Sequence, residues 1–378
     1  MTALALRERV IAAAHRCGAD AVRIAPADAQ AWTHDRLAAS FGRGDLATWP
    51  YDERYAAQAA DPRTLLADAR SVVCIAVAYA TPARPPRRGH GRVSNYAWSD
   101  DYHRRMRALL TDLANELEAL GAATAIACDT APVAERAFAE RAGLGWIGKH
   151  TNLIAPGLGS YVFLGEVVTS LALTPDAPLK KSCGACTRCV TACPTGALRG
   201  DYTIDATRCI SDLTQRTGPI PRELRPLIGT WIWGCDLCQE ACPPTRQALP
   251  RAGAAFAPLD EGMRAPALAE LLRLRSGEFK RRYAHTAIGW RGAAVLRRNA
   301  AVAMGNLLDR ADVPALAEAV AIDPHPIVRG HAAWALGRIG SPQALAVLRG
   351  RGAVETDALA ADEIAQALLS YSQTPRLR

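Results

Sequence analysis

The hydrophobic positions in the first part of the chain form short, continuous runs. Ser71–Ala80 is an unbroken apolar run rich in Val and Ile, which is typical of a buried strand. Ala122–Cys128 and Tyr161–Thr169 predict two further strands, and Tyr102–Leu120 between them has the spacing of a helix. Residues 1–178 therefore predict an α/β domain.

The last part of the chain, residues 262–378, has a helical and repetitive pattern. The stretch that begins at Arg298 (RNAAVAMGNL) recurs 31 residues later at Arg329 (RGHAAWALGRI), with small residues inside an apolar helix and a Gly towards its end. Asp323-Pro-His-Pro predicts the turn before the second copy. Paired helices that stack in this way resemble short HEAT-type repeats.

Between these two parts, residues 179–250 are dominated by cysteine. Eight of the chain's 11 cysteines lie there, as Cys-x2-Cys-x2-Cys-x3-Cys-Pro followed by a single Cys and Cys-x2-Cys-x3-Cys-Pro. This nested spacing is typical of two-cluster ferredoxins, in which the Cys before Pro binds the other cluster. We assign one [4Fe–4S] cluster to Cys183, Cys186, Cys189 and Cys242, and the second to Cys193, Cys209, Cys235 and Cys238. Two structural zinc ions or disulfides are the alternatives.

The charge of the chain is concentrated near the start of its helical part. The net charge is +8, and a basic block between Arg273 and Arg298 is opposed only by Glu278. Such a block attracts polyanions, although a solvated helix face is the commoner explanation of a charge run. Trp290 and Tyr283 within the block could stack on bases or pack in the core. The residues we assign to nucleic-acid contact are Lys280, Arg281, Arg282, Arg291, Arg297 and Arg298.

The chain shows no signal for export or for membrane insertion. Met1–Asp20 mixes apolar and charged residues as an amphipathic helix does, and it lacks the apolar core of a signal peptide. No stretch of about 18 uncharged apolar residues is present. We therefore expect a cytoplasmic protein that does not enter a membrane.

Residues 128–154 carry the candidate chemistry. Gly143-x-Gly145-x-x-Gly148 matches the dinucleotide fingerprint formally, but a helical stretch precedes it where the fingerprint requires a strand, so we reject a nicotinamide site. Asp129 follows the apolar run Ala122–Cys128, at the strand end where open α/β sheets bind ligands. It could instead cap a helix that begins at Pro132, and Glu135 is a rival acid.

Several further motifs are distributed along the chain. They are Gly91-Arg-Val-Ser-Asn-Tyr-Ala-Trp-Ser-Asp-Asp101-Tyr102-His103, Asp129-Thr-Ala-Pro-Val-Ala-Glu135-Arg136, Arg141-Ala-Gly-Leu-Gly-Trp146-Ile-Gly-Lys149-His-Thr-Asn152, Cys209-Ile-Ser211, Gly218-Pro-Ile-Pro, Gly234-Cys-Asp, Trp290-Arg-Gly and Arg298-Asn-Ala-Ala. Taken together, these motifs are similar to those of the epoxyqueuosine reductase family, and the resemblance extends over roughly residues 5 to 345.

The resemblance implies a cobalamin enzyme that reduces epoxyqueuosine in the tRNA anticodon loop to queuosine, the last step in making this base. It implies a cobalamin-binding α/β domain like that of reductive dehalogenases, a ferredoxin-like two-cluster domain and HEAT-like repeats. Two [4Fe–4S] clusters would pass electrons from an external donor, such as a flavodoxin or ferredoxin, to base-off cobalamin (B12). Nothing in the sequence demands more than a monomer.

The resemblance also implies site residues. Asp129 is the expected general acid, and burial near the corrin would raise its pKa so that it holds a proton near neutrality. Lys149 could pair with a corrin amide or phosphate, or be a surface lysine. The expected cobalamin contacts are Arg54, Arg92, Asp129, Lys149, Asn152, Ser160 and Ser211.

Three other functions compete with this interpretation. The first is a dehalogenase-like cobalamin enzyme acting on a small molecule, which the basic helical part argues against. The second is an electron-transfer ferredoxin with a scaffold domain and no chemistry of its own. The third is an iron–sulfur protein that binds tRNA without turning it over.

Overall fold

The structure is a computed structural model that describes residues 3–82, 87–248, 253 and 256–373. The predicted domain limits at residues 1, 250 and 378 lie outside these ranges. The described strands are β1 (Ala21–Pro26), β2 (Ser71–Ala78), β3 (Arg92–Val93), β4 (Thr124–Ala127), β5 (Trp146–Ile147), β6 (Leu153–Ile154), β7 (Val162–Thr169) and β8 (Trp231–Trp233).

The described helices follow the predicted order, with most of the long ones in the last third of the chain. They are α1 (Ala3–Cys17), α2 (Ala31–Gly42), α3 (Glu53–Ala60), α4 (Tyr102–Glu118), α5 (Glu135–Arg141), α6 (Arg188–Ala192), α7 (Ile210–Gln215), α8 (Leu237–Glu240), α9 (Pro243–Gln247), α10 (Glu261–Arg264), α11 (Leu268–Leu272), α12 (Ser276–Tyr283), α13 (Ala293–Leu307), α14 (Val313–Ile322), α15 (Pro326–Ile339), α16 (Pro342–Gly352) and α17 (Ala358–Gln373). None of the described helices has the length and apolar character needed to cross a membrane.

The chain divides into two structural units whose limits differ from the three predicted segments. The first unit combines residues 1–82, 101–207 and 236–257, and the second combines 83–100, 208–235 and 258–378. The predicted cysteine-rich domain, residues 179–250, is therefore shared between the units. A small iron–sulfur segment has too little apolar surface for a core of its own, so its parts join the core of a larger neighbour.

The sheet of the first unit is antiparallel throughout. Its strand order is β1-β2-β7-β4, and all three neighbouring pairs run in opposite directions. The three strands predicted from apolar runs are confirmed, and β1 adds a fourth. Asp129 follows the carboxyl end of β4, as expected, but the rule that ligands bind at this end concerns parallel strands and does not apply to an antiparallel sheet.

Helices cover both faces of this sheet. On one face, Gly165 of β7 leaves room for α4, since a Cβ at this position would lie 2.9 Å from the side chain of Leu110. On the other face, Phe138 of α5 and Ala142, which directly follows this helix, pack against Val168 of β7 in a buried cluster. The strands β2 and β7 are therefore buried on both sides, which explains their continuous apolar runs.

The second unit contains the predicted helical repeats. Gly305 of α13 lies inside its helix, not at its end, because α15 packs closely against it. A Cβ there would lie 2.6 Å from the Trp334 side chain and 2.9 Å from Ala335. Gly337 of α15 meets Ala367 of α17 in the same way. The repeated Gly thus allows close contact between consecutive helices.

Candidate functional site

The loop between β4 and α5 carries Asp129 in a backbone conformation that few side chains adopt. Its φ is +53°, and a non-glycine residue in this region is a strained feature that often marks a functional site. Asp129 does not cap α5, because the helix begins at Glu135 and is preceded by Ala134. The capping interpretation of Asp129 is therefore wrong.

His103 holds the side chain of Asp129. The distance between His103 Nε2 and Asp129 Oδ2 is 2.7 Å, and the other ring nitrogen, Nδ1, lies 2.7 Å from Asp101 Oδ1. The Asp129 side chain remains about half exposed, at 52%. The result is an imidazole between two carboxylates, one of which faces solvent.

These contacts determine where the proton resides. Burial alone would lower the pKa of His103, but its hydrogen bonds to Asp129 and Asp101 raise it above its usual value. Burial would raise the pKa of Asp129, but the bonds from His103 and Tyr102 lower it overall. In this arrangement the pKa of Asp129 is therefore lowered and not raised as expected, and the two shifts favour an ionised Asp129 beside a protonated His103. In the sequence, His103 is marked only by its place in the Asp101-Tyr102-His103 motif, and that motif does not predict a role for its side chain.

Glu135 contacts the backbone of the same loop. Its Oε1 accepts a hydrogen bond from the backbone N–H of Asp129 at 2.6 Å. Burial and the charge of Asp129 raise the pKa of Glu135 to about 7. Glu135 therefore fixes the backbone of Asp129 and is itself able to exchange a proton near neutrality.

Aromatic rings lie close to Asp129, His103 and Glu135, which together are called the Asp129 corner below. The rings of Tyr102 and Phe163 stack with centroids 4.3 Å apart and planes 3° apart, and Tyr79 stacks on Phe163 at 4.2 Å. On another side, burial raises the pKa of Tyr55 to about 12, and the charges of Glu135 and Asp129 add to the effect. Tyr55 therefore lies near the two carboxylates.

Two of the predicted cobalamin contacts suit a ligand rich in amides. Arg54 is exposed and directly precedes Tyr55, and Asn152 is half-buried beside Thr151, whose carbonyl accepts from Arg136 at 2.9 Å. Within the part of the chain that the structure describes, neither the Arg54 nor the Asn152 side chain has a hydrogen-bond partner. The guanidinium of Arg54 and the amide of Asn152 can therefore donate hydrogen bonds to a ligand that carries amide oxygens.

The other predicted cobalamin contacts already have protein partners. Lys149 Nζ donates to the carbonyl of Gly184 at 2.9 Å. The Ser160 hydroxyl is buried between Gln239 and Thr245, at 2.9 Å from each. Arg92 lies over the Trp231 ring, and Ser211 accepts from Gln215.

The four thiols assigned to the first cluster all lie in the first unit. Cys242 and Cys183 pack with Trp146 in one apolar cluster. Burial raises the pKa values of Cys189 and Cys242, and the nearby thiol of Cys183 adds to both. Thiolates are the ligands that an iron–sulfur cluster requires, and the assignment of these four as one ligand set stays a prediction.

The remaining assigned thiols are divided between the units. Cys193 and Cys238 belong to the first unit, and Cys209 and Cys235 to the second. All eleven cysteines are free thiols in this structure. Among the described residues, no three His, Cys, Asp or Glu side chains converge on one metal-ion position.

Two residues predicted to contact nucleic acid are interior. Arg298 is inaccessible to solvent, and its guanidinium donates to the carbonyls of Leu213, Arg216 and Gly218. Arg297 is 6% exposed and pairs with Asp323 at 2.6 Å. Their assignment to nucleic acid is wrong, because both hold the fold of the second unit together.

The rest of the basic block remains at the surface. Lys280 and Arg281 of α12 are exposed, while Arg282 and Arg291 are half-buried. The Arg291 guanidinium lies 3.7 Å from the ring centroid of Trp290, which is 48% exposed. Tyr283, by contrast, is 2% exposed and belongs to the core.

Three family models match successive parts of the chain. Residues 60–130 match "Epoxyqueuosine reductase QueG, DUF1730". Residues 182–245, which contain all eight assigned cysteines, match "4Fe-4S double cluster binding domain". Residues 291–369 match "HEAT repeats".

Relatives and solved structures agree with these matches. The epoxyqueuosine reductase of Bacillus subtilis (strain 168) is 36% identical over 349 residues, covering 90% of each chain. A crystal structure of epoxyqueuosine reductase with an epoxyqueuosine-modified tRNA-Tyr stem loop superposes with a TM-score of 0.92 and 34% identity, covering 98% of this chain and 100% of the other. A second structure, of the B. subtilis enzyme with its catalytic aspartate loop swung out of the active site, gives a TM-score of 0.91 at 34% identity, covering 98% and 100%.

Proposed function

Because the chain belongs to the epoxyqueuosine reductase family, we propose that it reduces epoxyqueuosine in tRNA to queuosine. The observation that carries this proposal is Asp129, held in a strained loop by His103, in a chain that matches the family over nearly its whole length. The reaction consumes two electrons and two protons, breaks both C–O bonds of the epoxide and releases water. In this proposal the reaction takes place in the cytoplasm.

Two [4Fe–4S] clusters supply the route for the electrons. For the first ligand set, Cys183, Cys186, Cys189 and Cys242, the support is that all four lie in the first unit and that Cys183 and Cys242 pack in one apolar cluster. For the second set, Cys193, Cys209, Cys235 and Cys238, the support is their spacing and the double-cluster match over residues 182–245. The donor is an external low-potential protein of the flavodoxin or ferredoxin class, and the enzyme acts as a monomer.

Cobalamin, when bound, supplies a low-valent cobalt centre able to reduce the strained ring. The residues that would hold it around the Asp129 corner are Arg54 and Asn152, whose side chains have no hydrogen-bond partner among the described residues. Lys149, Arg92 and Ser211 remain weaker candidates, because each has a partner within the protein.

Asp129 and His103 together provide the proton for the departing oxygen. An alkoxide is a poor leaving group, and a positioned acid typically accelerates its departure by about 10²–10⁴-fold. The proton resides on His103 in the resting arrangement, and the 2.7 Å bond to Asp129 Oδ2 is the path by which Asp129 receives it. Since Asp129 is half exposed, it can then present the proton to the substrate. The loop that moves in the B. subtilis relative corresponds, in this proposal, to the loop of Asp129.

The exposed part of the basic block is the proposed contact for the tRNA backbone. Lys280 and Arg281 would meet phosphates, and Trp290 with Arg291 on its ring offers a flat, charged surface for an unstacked base. The relative solved with a modified stem loop supports RNA as the partner.

The test is anaerobic turnover with the complete protein. After reconstitution with iron, sulfide and cobalamin, the protein is given a strong reductant and a stem loop that carries epoxyqueuosine. We expect mass spectrometry of the nucleosides to show loss of one oxygen atom only when cobalamin is present. Unchanged epoxyqueuosine from a sample with intact clusters and bound corrin would overturn the proposal.

A further inference from the structure

The side-chain amide of Asn299 joins the two chain segments that lead to Cys209 and Cys235. Asn299 lies on α13 and is 1% exposed. Its Nδ2 donates to the carbonyl of Thr214 at 2.7 Å and to the carbonyl of Ile232 at 2.8 Å. Thr214 belongs to α7, which directly follows Cys209. Ile232 belongs to β8, which ends two residues before Cys235.

The orientation of this amide is fixed by its neighbour Arg298. The amide oxygen, Oδ1 of Asn299, lies 3.0 Å from Nε and 2.8 Å from Nη2 of the guanidinium. Because a guanidinium can only donate, the oxygen of the amide must face it and the nitrogen must face the two carbonyls. Both N–H groups and the oxygen of Asn299 are therefore satisfied, and the amide can hold α7 and β8 in only one way.

The hydroxyl of Thr214 extends this connection to the residues next to the two thiols. Its Oγ1 donates to the carbonyl of Ile210 at 2.9 Å and accepts from the backbone N–H of Gly234 at 2.9 Å. Ile210 directly follows Cys209, and Gly234 directly precedes Cys235. A single hydroxyl on a fully buried residue thus bridges the chain neighbours of both cysteines.

The backbone at Gly234 has little freedom to adjust if this bridge is lost. Its φ is +64°, and a Cβ at this position would lie 2.5 Å from the Cβ of Ser94. The backbone N–H of Ser94 donates to the carbonyl of Trp233 at 2.8 Å. The chain therefore reaches Cys235 through a turn that is closely packed on one side and hydrogen-bonded to Thr214 on the other.

We propose that Asn299 and Thr214 are positioning residues for the second [4Fe–4S] cluster, because they set the separation of Cys209 and Cys235. This inference rests on the cluster content of the proposed function. Both cysteines are free thiols, which is the ligand type that the cluster requires. Groups that orient the ligands of a metal site tune its affinity and its potential without touching the metal. In this proposal the helical repeats support the electron route as well as the RNA contact.

Asn306 offers a matched control on the same helix. Its Nδ2 also donates to two carbonyls, those of Arg225 at 2.8 Å and Gly229 at 2.9 Å. Gly229 lies six residues before Cys235, so neither carbonyl borders an assigned ligand. Replacing Asn306 therefore removes the same kind of double hydrogen bond from the second unit at a greater distance along the chain from the cysteines.

The test is a redox titration of the reconstituted full-length protein, monitored by EPR, together with its iron content. Cys186→Ser and Cys209→Ser identify the signals of the first and the second cluster. Thr214→Val keeps the shape of the side chain but removes the hydroxyl. We expect this variant to lose the second cluster or to shift its potential, with loss of up to about half of the iron. The potential of the first cluster should be unchanged.

Conservative variants separate positioning from general stability. Thr214→Ser keeps the hydroxyl and should restore the second cluster with its wild-type potential. Asn299→Leu should act like Thr214→Val, whereas Asn306→Leu should retain both clusters with unchanged potentials. If Asn299→Leu does not fold, the comparison of Thr214→Val with Thr214→Ser decides.

Three results would overturn the inference. The first is a second cluster that is unchanged in both Thr214→Val and Asn299→Leu. The second is an equal loss in Asn306→Leu, which would indicate general destabilisation of the second unit. The third is a wild-type protein that holds no second cluster. The cluster readout requires no turnover, so a protein that holds both clusters and leaves epoxyqueuosine unchanged would refute the reductase function alone.

Discussion

His103 Nε2 lies 2.7 Å from Asp129 Oδ2, and this bond joins the first turn of α4 to the loop after β4. The other nitrogen of the same ring, Nδ1, lies 2.7 Å from Asp101 Oδ1. The imidazole is therefore held between two carboxylates. In the proposed mechanism it delivers its proton to Asp129, which lets an aspartate whose own pKa is lowered act as an acid.

Replacing Asp129 by Asn should remove most of the activity. The amide keeps the size of the side chain but cannot carry the transferred proton, so we expect kcat to fall by about 10²-fold or more. Iron content and the corrin absorption should match the wild type. Asp112→Asn, at an exposed position of α4, is the control and should retain full turnover. Near-normal turnover of Asp129→Asn would transfer the role of acid to Glu135.

His103→Gln should change how stability depends on pH. Because the pKa of His103 is raised in the folded protein, its hydrogen bonds to Asp129 and Asp101 stabilise the fold fully below about pH 6.5, the pKa of His in the unfolded chain. This stabilisation is lost as the pH rises through the pKa of the folded state. The lowered pKa of Asp129 means that its contribution is present above about pH 3.9 and is lost on acidification through the folded value.

Together, the two pKa shifts define the pH range in which the His103→Gln variant should be less stable than the wild type. The free energy of unfolding of His103→Gln should fall below that of the wild type by about 1 kcal/mol between pH 4 and 6.5, a modest effect because water screens the half-exposed Asp129. The difference should shrink at alkaline pH. Chemical denaturation at several pH values measures it, and a difference that grows with pH would contradict the protonated bridge.

Reversing the charge of Arg281 and Arg282 should weaken binding of the tRNA stem loop. Each phosphate contact that is lost should lower the slope of log affinity against log salt by about 1. Arg349→Glu, at an exposed position of α16 outside the basic block, introduces the same kind of reversal as a control. Equal affinity of the double variant and the wild type at several salt concentrations would exclude this surface.

Arg298→Met should destabilise the second unit. The change leaves the buried carbonyl of Leu213 and the half-buried carbonyls of Arg216 and Gly218 without their donor, and an unsatisfied buried group typically costs about 1–3 kcal/mol. We expect a loss of about 3–5 kcal/mol in the free energy of unfolding. Arg281→Met, at the exposed surface, should be close to neutral. Equal stability of the two variants would contradict the interior role of Arg298.

Trp146→Phe should shift the potential of the first cluster. The Trp146 Nε1–H is buried and has no hydrogen-bond partner among the described residues, and its ring packs with Cys242 and Cys183. A donor aimed at cluster sulfur stabilises the reduced, more negative state. Removal of this donor should therefore lower the reduction potential in an EPR-monitored redox titration. An unchanged potential would place the indole N–H away from the cluster.

The sequence by itself determined the features that depend on local pattern. The continuous run at Ser71–Ala80 marked a strand buried on both faces, and the Cys-x2-Cys-x2-Cys-x3-Cys-Pro spacing identified the cluster segment. The recurrence of the Arg298 segment at Arg329 identified paired helices. Such patterns can be recognised in the sequence because strand burial, ligand spacing and helix periodicity each involve neighbouring residues.

Only the tertiary structure decided which charges are exposed and which protons are held. Arg298 and Arg281 are equally basic in the sequence, yet one is enclosed by carbonyls and the other faces solvent. Asp129 was a candidate from its place after a strand, but its ionisation depends on His103, 26 residues away. In the sequence Glu166 is part of an apolar run, and only the fold shows that its side chain is fully buried. Burial and long-range partners set these properties, and neither is encoded in local spacing.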